Sequence, residues 1–228
     1  MSQLGQHFLL HQPTLQYIAS LLEAKSGDAV VEVGSGPGYL TEYLQEFTLT
    51  CVEIDASFPS PPCTQYIQSS ILDCLEELSF EYIIGNLPYH IVEPFFKQLS
   101  SCSFKQGVFL MGESFANTLV ASPLFSHYFS FTLDKQVAPS LFHIPPSVQS
   151  RIVVVFPLAP SPSLFDGLLF PTKQKVKNYF LRSELYTKKE MKLFLAYFLD
   201  DLQDLSLHAL SSKQLERVYR FVQILEYI

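Results

Sequence analysis

An apolar run ending in Ile83 and Ile84 is followed at once by Gly85 and then by Asn86-Leu87-Pro88-Tyr89. Gly, Asn and Pro are ordinary turn residues, so on these positions alone a turn is the leading reading. An amide and an aromatic ring at a strand end suit a second purpose. The Asn86 oxygen and a backbone carbonyl near Leu87 can each accept one N–H of an exocyclic amine. Such an amine is a poor nucleophile because its lone pair is delocalised into its ring. Two acceptors favour a pyramidal nitrogen, which is positioning and electrostatic stabilisation with no prior loss of a proton. Pro88 stiffens the loop, and Tyr89 offers a face on which an unstacked base can lie. The chemistry this set suits is transfer of a small alkyl group to an aromatic amine.

The stretch "VEVGSGPGYLT" (Val31–Thr41) is a second candidate: a β-branched run, then Gly34, Gly36 and Gly38. Glycines permit positive φ and close approach of a ligand to the backbone, although one glycine turn alone is a weak signal. Glu53 and Asp55 in "CVEID" follow about twenty residues later, where an acid at the end of the next strand can hold ribose hydroxyls. Glu32 precedes the glycines, and no phosphate-binding lysine accompanies them. The combination suits a nucleoside cofactor without phosphate, and S-adenosylmethionine fits.

These residues need elements to hold them. Apolar spacing predicts a helix over Pro13–Ala24, strands at Ala29–Val33, in "TLTCVEIDAS", "TQYIQSSIL" and "FEYIIGNLPY" and over Gly107–Met111, and a helix over Val92–Ser100. A helical pattern also starts at Tyr39. Alternating strands and helices predict βαβ units and a mostly parallel sheet, with apolar strands covered on both faces. Two later β-rich runs, "SFTLDKQVAPSLF" and "SRIVVVFPLAP", suit a closing antiparallel hairpin. Ala159–Phe165 reads as a linker. From Thr172 the spacing is helical to the end, with Ser211 or Ser212 as the N-cap of the last helix. The expected domains are 1–160 and 161–228.

With 228 residues, 48% hydrophobic and 16% charged, the chain is globular rather than disordered. It contains no run of eighteen apolar residues and no signal-peptide pattern at its start, so no membrane association is expected. Cys51, Cys63, Cys74 and Cys102 lack metal-site spacing and read as reduced thiols of a cytoplasmic protein. The net charge of −7 opposes non-specific attraction to phosphates. That charge is uneven. Residues 1–170 hold 5 basic and 15 acidic residues, against 10 and 7 in residues 171–228, so the C-terminal part is the better anion-facing candidate.

The chain resembles the ribosomal RNA adenine N6,N6-dimethyltransferases of the KsgA type, to which the erythromycin-resistance 23S rRNA methylases are related. The resemblance rests on "GQHFL" (Gly5–Leu9), "VEVGSGPGYLT", "VEID", "NLPYHI", "FHIPPSVQSRIVVV" (Phe142–Val155) and "LSSKQLERV" (Leu210–Val218), in that order. It implies a Rossmann-like S-adenosylmethionine-dependent methyltransferase sheet, mostly parallel with a closing antiparallel edge, and a small C-terminal helical RNA-contacting domain. It implies dimethylation of N6 on two adjacent adenosines near the 3′ end of small-subunit (16S) rRNA, with a role in subunit biogenesis. The expected partner is small-subunit rRNA or a pre-30S particle, and the chain is expected to act as a monomer. Carried over by residue, cofactor contacts fall on His7, Leu9, Gly34, Gly36, Glu53, Ser70 and Asn86. The catalytic set is Asn86, Leu87, Pro88, Tyr89 and Phe142, with Tyr89 and Phe142 holding the adenine; core packing is the other reading of Phe142.

The chain departs from the family pattern in places. Ser70 stands where an Asp is expected, Met111-Gly112-Glu113 replaces Q-K-E, and the basic helical run is dispersed over Arg182, Lys188 and Lys189. The usual basic N-terminal extension is missing from the sequence. These departures weaken RNA grip more than cofactor chemistry, and two other readings stay open. One is a non-catalytic ribosome-assembly or transcription factor on the same fold. The other is a 23S rRNA adenine methyltransferase.

Overall fold

The computed structural model describes residues 7–158, 165–169, 173–183 and 186–227. Seven strands form one sheet: β1 (Ala29–Val33), β2 (Thr48–Glu53), β3 (Gln65–Gln68), β4 (Tyr82–Asn86), β5 (Gln106–Gly112), β6 (Phe129–Val137) and β7 (Ser150–Pro157). Their order is β3-β2-β1-β4-β5-β7-β6. The first five are parallel, and β7 lies antiparallel between β5 and β6. The expected parallel sheet with an antiparallel edge is therefore the fold. Every residue of β5 is buried, as a strand covered on both faces requires.

The helices of this part are α1 (Gln12–Ser20), α2 (Ile71–Cys74), α3 (Val92–Leu99) and α4 (Glu113–Ala121). Helix α3 drives Phe95 and Phe96 against Phe109 of β5 and Phe96 against Phe129 of β6, with ring centroids 5.4–5.7 Å apart and edge-to-face. That geometry suits the aromatic quadrupole. On the other face, Leu15 and Ile18 of α1 join Val30, Ile84, Val108 and Leu110 in one buried cluster.

The helical pattern from Tyr39 forms no α-helix. Thr41–Tyr43 is a single 3-10 turn, with Tyr43 and Leu44 donating to the carbonyls of Leu40 and Thr41. Only nine residues, 39–47, separate the glycine turn from β2, and the chain must be extended again at Thr48. The glycine turn is therefore not followed directly by an α-helix.

The chain divides into two compact units, residues 1–121 with 128–158, and residues 122–127 with 159–228. The second contains α6 (Val176–Leu181), α7 (Lys188–Phe198) and α8 (Ser212–Tyr227), with α5 (Pro123–Tyr128) at its edge of sequence. Phe180 and Phe198 pack on Phe221 at 4.9 and 5.5 Å. Thr187 and Glu190 close a capping box on α7. Ser211 caps α8, its hydroxyl accepting from the Gln214 N–H while the Gln214 side chain accepts from the Ser211 N–H. The expected linker over residues 159–165 lies outside the described residues except for Phe165.

Between β1 and β4 the backbones come unusually close. A Cβ on Gly85 would sit 2.5 Å from the Val33 carbonyl oxygen and 3.0 Å from Val33 Cβ. Gly85→Ala is therefore expected to lower unfolding free energy by about 1–3 kcal/mol, the usual cost of overpacking a tight site, as read from urea denaturation midpoints at unchanged slope.

Candidate functional site

In an open α/β sheet, ligands bind beyond the carboxyl ends of the strands where the strand order reverses. Here β2 and β3 follow β1 to one side, and β4 and β5 lie on the other, so the reversal falls between β1 and β4. Val33 pairs with Gly85 across that point. The register sets the glycine turn after β1 level with Asn86 at the end of β4. A pocket of about 420 Å³, counted to its open mouth, lies there, lined by Glu32, Gly34, Ser35, Tyr39, Gly85 and Asn86 together with Phe8, Leu9 and Leu110.

Gly34, Gly36 and Gly38 all adopt positive φ, at 69°, 49° and 91°. At Gly36 the need is doubled, because a Cβ would lie 2.6 Å from the Phe8 ring. The turn is fixed by Glu53, which is 5% exposed. One of its carboxylate oxygens accepts the Gly36 N–H and the other the Asp55 N–H, both at 2.8 Å. A carboxylate has about four acceptor positions, so capacity remains for ligand hydroxyls. Ile54, next to it, is 59% exposed despite being apolar.

Glu32 lies deeper, almost wholly buried. Desolvation is the largest influence and pushes its carboxyl up to about 7; hydrogen bonds from Thr41 and Cys51 act the other way, and the charge of Glu53 adds to the rise. The Thr41 hydroxyl donates to it at 2.6 Å. Beside it, the buried Ser35 hydroxyl makes no hydrogen bond. A buried unpaired hydroxyl is costly, and this one borders the pocket.

Asn86 is held by the segment before α1. Its Nδ2 donates to the His7 carbonyl at 2.8 Å, and its Oδ1 takes no hydrogen bond from the described residues. The segment is tied along its length to residues 141–144. Leu9 bridges Phe142, Leu10 N donates to the Leu141 carbonyl and His143 N to the Phe8 carbonyl. The His7 ring Nδ1 lies 2.8 Å from the Ile144 carbonyl; since a carbonyl only accepts, Nδ1 carries the proton.

The pocket thus brings together Leu9, Gly34 and Asn86, with His7 bonded to Asn86, Gly36 against Phe8, and Glu53 linked to it through Gly36. Leu87 is buried, its N–H extending the β4–β5 ladder to the Leu110 carbonyl at 2.9 Å. Pro88 precedes a 3-10 turn whose Ile91 N–H returns to the Pro88 carbonyl. The Tyr89 side chain lies outside the described structure, as do Gly5 and Gln6 of "GQHFL". Ser70 does not line the pocket. It caps α2, its hydroxyl accepting from Leu72 N at 3.2 Å. Phe142 is 5% exposed and packs in the core with Leu9, Leu15 and Ile18, so here it anchors the strap that carries His7. Phe8, Ser35 and Tyr39 escaped sequence reasoning. Phe8 stood inside a quoted motif, but nothing in its type says that it covers Gly36.

A family model for "Ribosomal RNA adenine dimethylase" matches residues 1–169. The chain belongs to that family. Its curated relatives include "Ribosomal RNA small subunit methyltransferase A" of Geobacter sulfurreducens, 33% identical over 185 residues, 68% of this chain and 67% of the relative. The protein of that name from Leptothrix cholodnii is 31% identical, over 72% of this chain and 70% of its own length. Among solved structures, a dimethyladenosine transferase from Plasmodium falciparum has a TM-score of 0.60 at 23% identity, covering 95% of this chain and 98% of that one. The 23S rRNA methyltransferase ErmE gives 0.60 at 18% identity, with coverage of 95% and 99%. These two show the shared fold. As an rRNA adenine dimethylase the protein is a methyltransferase with a Rossmann-like sheet, and it needs a methyl donor. No helix among the described residues is long and apolar enough to cross a membrane.

The polar groups at the pocket of this dimethylase suit a methyl donor with polar ends: Ser35 carries an unpaired buried hydroxyl and Glu32 a deep carboxyl in the lining, and Glu53, bonded to the adjoining glycine turn, keeps spare acceptors. Glu32 also gives the dimethylase a pH signature. Its folded pKa lies above its unfolded value, so the stability it contributes is full below about pH 4.5 and is lost as pH rises through about 7. Glu32→Gln should remove that loss. The variant should gain on the wild type between pH 5 and pH 8 by up to about 3 kcal/mol, at about 1.4 kcal/mol per pKa unit, measured by denaturant unfolding at both pH values.

Proposed function

We propose that the protein transfers methyl groups from S-adenosylmethionine to N6 of two adjacent adenosines near the 3′ end of small-subunit rRNA, and so takes part in small-subunit biogenesis. The observation that carries this reading is the state of Asn86: its nitrogen is tied down and its oxygen takes no hydrogen bond from the described residues, in the lining of the switch-point pocket. The small-subunit names of the curated relatives support the choice of subunit.

In this reading Glu53 takes the ribose hydroxyls, the exposed Ile54 covers one face of the cofactor's purine, and Ser35 and Glu32 take the polar amino-acid end. When bound, S-adenosylmethionine supplies an electrophilic methyl on a positively charged sulfur. Asn86 Oδ1 accepts one N–H of the target amine and the backbone carbonyl at Leu87 accepts the other. Both orient the amine lone pair and stabilise the positive charge that grows on nitrogen during attack. The amine then loses its proton to solvent, and no buried general base is required.

The helical unit supplies RNA contact. Residues 171–228 carry 10 basic and 7 acidic residues, against 5 and 15 before them. In that unit Lys177 and Arg217 are paired with Asp204 and Asp201, while Lys188, Lys189 and Lys192 are exposed together on α7 and available to phosphates. RNA binding should accordingly weaken steeply with salt.

Incubation with labelled cofactor and undermethylated ribosomal subunits should label adenosine in the small subunit. Asn86→Ala should lower kcat by at least about a hundredfold, the scale for removal of one positioned polar group, measured at saturating cofactor. Labelling of the large subunit alone, or undiminished transfer by the variant, would overturn the reading.

A further inference from the structure

The Asn86 amide has two ends that fit the same space, and which one meets the target decides whether the site works. An oxygen placed 2.8 Å from the His7 carbonyl oxygen would set two acceptors against each other, so the nitrogen must face His7. That choice rests on chemistry and not on electron count. It leaves Oδ1 as the end directed to the pocket. We infer that the backbone carbonyl of His7 is a positioning group for methyl transfer, holding Asn86 in one flip and thereby making an amide, not a carboxylate, the working side chain at position 86. The inference rests on the proposed role of Asn86 as acceptor of the target amine.

The His7 carbonyl can do this because the strap is rigid where it matters. Backbone bonds join Phe8 to His143 at 2.8 Å and Leu10 to Leu141 at 3.0 Å, and the His7 ring is bonded to Ile144. Leu9 and Phe142 bury the paired side chains beneath it, at 3% and 5% exposure. On its far side Phe8 rests on Gly36, so the strap touches the cofactor turn and the amide together. The link has a chemical consequence. At position 86 a group must donate to one side and accept on the other. An amide does so at any pH, a carboxylic acid only while protonated, and a carboxylate not at all.

Asn86→Asp separates these cases. With the His7 carbonyl in this role, the N86D protein transfers methyl groups only in its protonated form. The ratio of its kcat to that of the wild type should then rise as pH falls from 8.5 to 6, by roughly tenfold per pH unit above the acid's pKa. The ionisable groups on the surrounding elements are His7 and His143 on the strap and its partner segment, Glu32 on β1, Glu53 on β2, His90 after β4, and the Glu113–Arg151 pair at the ends of β5 and β7. All are common to both proteins, so their titration cancels in the ratio. Proximity to Glu32 and Glu53 can raise the new acid's pKa without His7, but it cannot make the protonated form the active one. A ratio that is flat, or that rises with pH, overturns the inference, whereas full activity in Asn86→Ala would overturn the role of Asn86 itself.

A second measurement needs no substitution at the site. The chain has only three asparagines, Asn86, Asn117 and Asn178, so selective 15N labelling gives three side-chain amide pairs. In the wild type, one Asn86 amide proton should exchange with solvent at least about tenfold more slowly than those of Asn117 and Asn178, as a hydrogen-bonded proton does. Equally fast exchange at all three overturns the inference even if N86D fails to fold.

Discussion

The close pairing of β1 with β4 is the constraint on which the site depends. These strands lead away from each other in the chain, one into the glycine turn and the other into Asn-Leu-Pro-Tyr, yet Val33 faces Gly85 with no room for a side chain between them. Because the register is fixed by backbone bonds, the two strand ends emerge level and side by side. A one-residue slip would turn Glu32 and Asn86 to the opposite faces of the sheet. The Phe95-Phe96-Phe109 stack and the α1 cluster then hold the sheet from both sides, and the pocket exists only as the gap at the ends of these two strands.

Within that gap the polar groups are arranged with little redundancy. Glu53 spends two acceptor positions on backbone N–H groups, one of which belongs to the glycine turn, and so stiffens the place where a ligand would lie. Glu32 is buried enough that its proton is held near neutrality, with the Thr41 hydroxyl keeping one oxygen satisfied. The Ser35 hydroxyl is left unpaired beside it. Buried polar atoms left in this state mark a site built for something else to complete it.

A net charge of −7 is unusual company for an RNA substrate, but charge and chemistry are separated along the chain. The sheet unit contains most of the acids, with Glu32 in the pocket lining and Glu53 beside it. The helical unit contains most of the lysines, and its core of Phe180, Phe198 and Phe221 leaves Lys188, Lys189 and Lys192 of α7 exposed. Local patches, and not the total charge, govern where a phosphate backbone can lie.

Much of this protein was legible in its residues. Continuous apolar runs and period-3.6 patterns marked the parallel sheet and its helices, because burial on both faces of a strand demands a continuous apolar run. The glycines of the turn were legible as positive-φ positions, and NLPY was legible as the end of a strand, because those residue types suit those backbone conformations. The short connection after Gly38 was misread as helix, since spacing alone does not record how few residues remain before β2. Sequence could not say that Ser70 would cap a helix, that Phe142 would serve the core beneath the strap, or that Phe8 would lie on Gly36. Nor could it say which end of the Asn86 amide would face the pocket. That last outcome depends on Asn86 and His7, 79 residues apart in the chain, meeting within hydrogen-bond distance. Residue type limits what a side chain can donate or accept; only the folded chain decides which partner it meets.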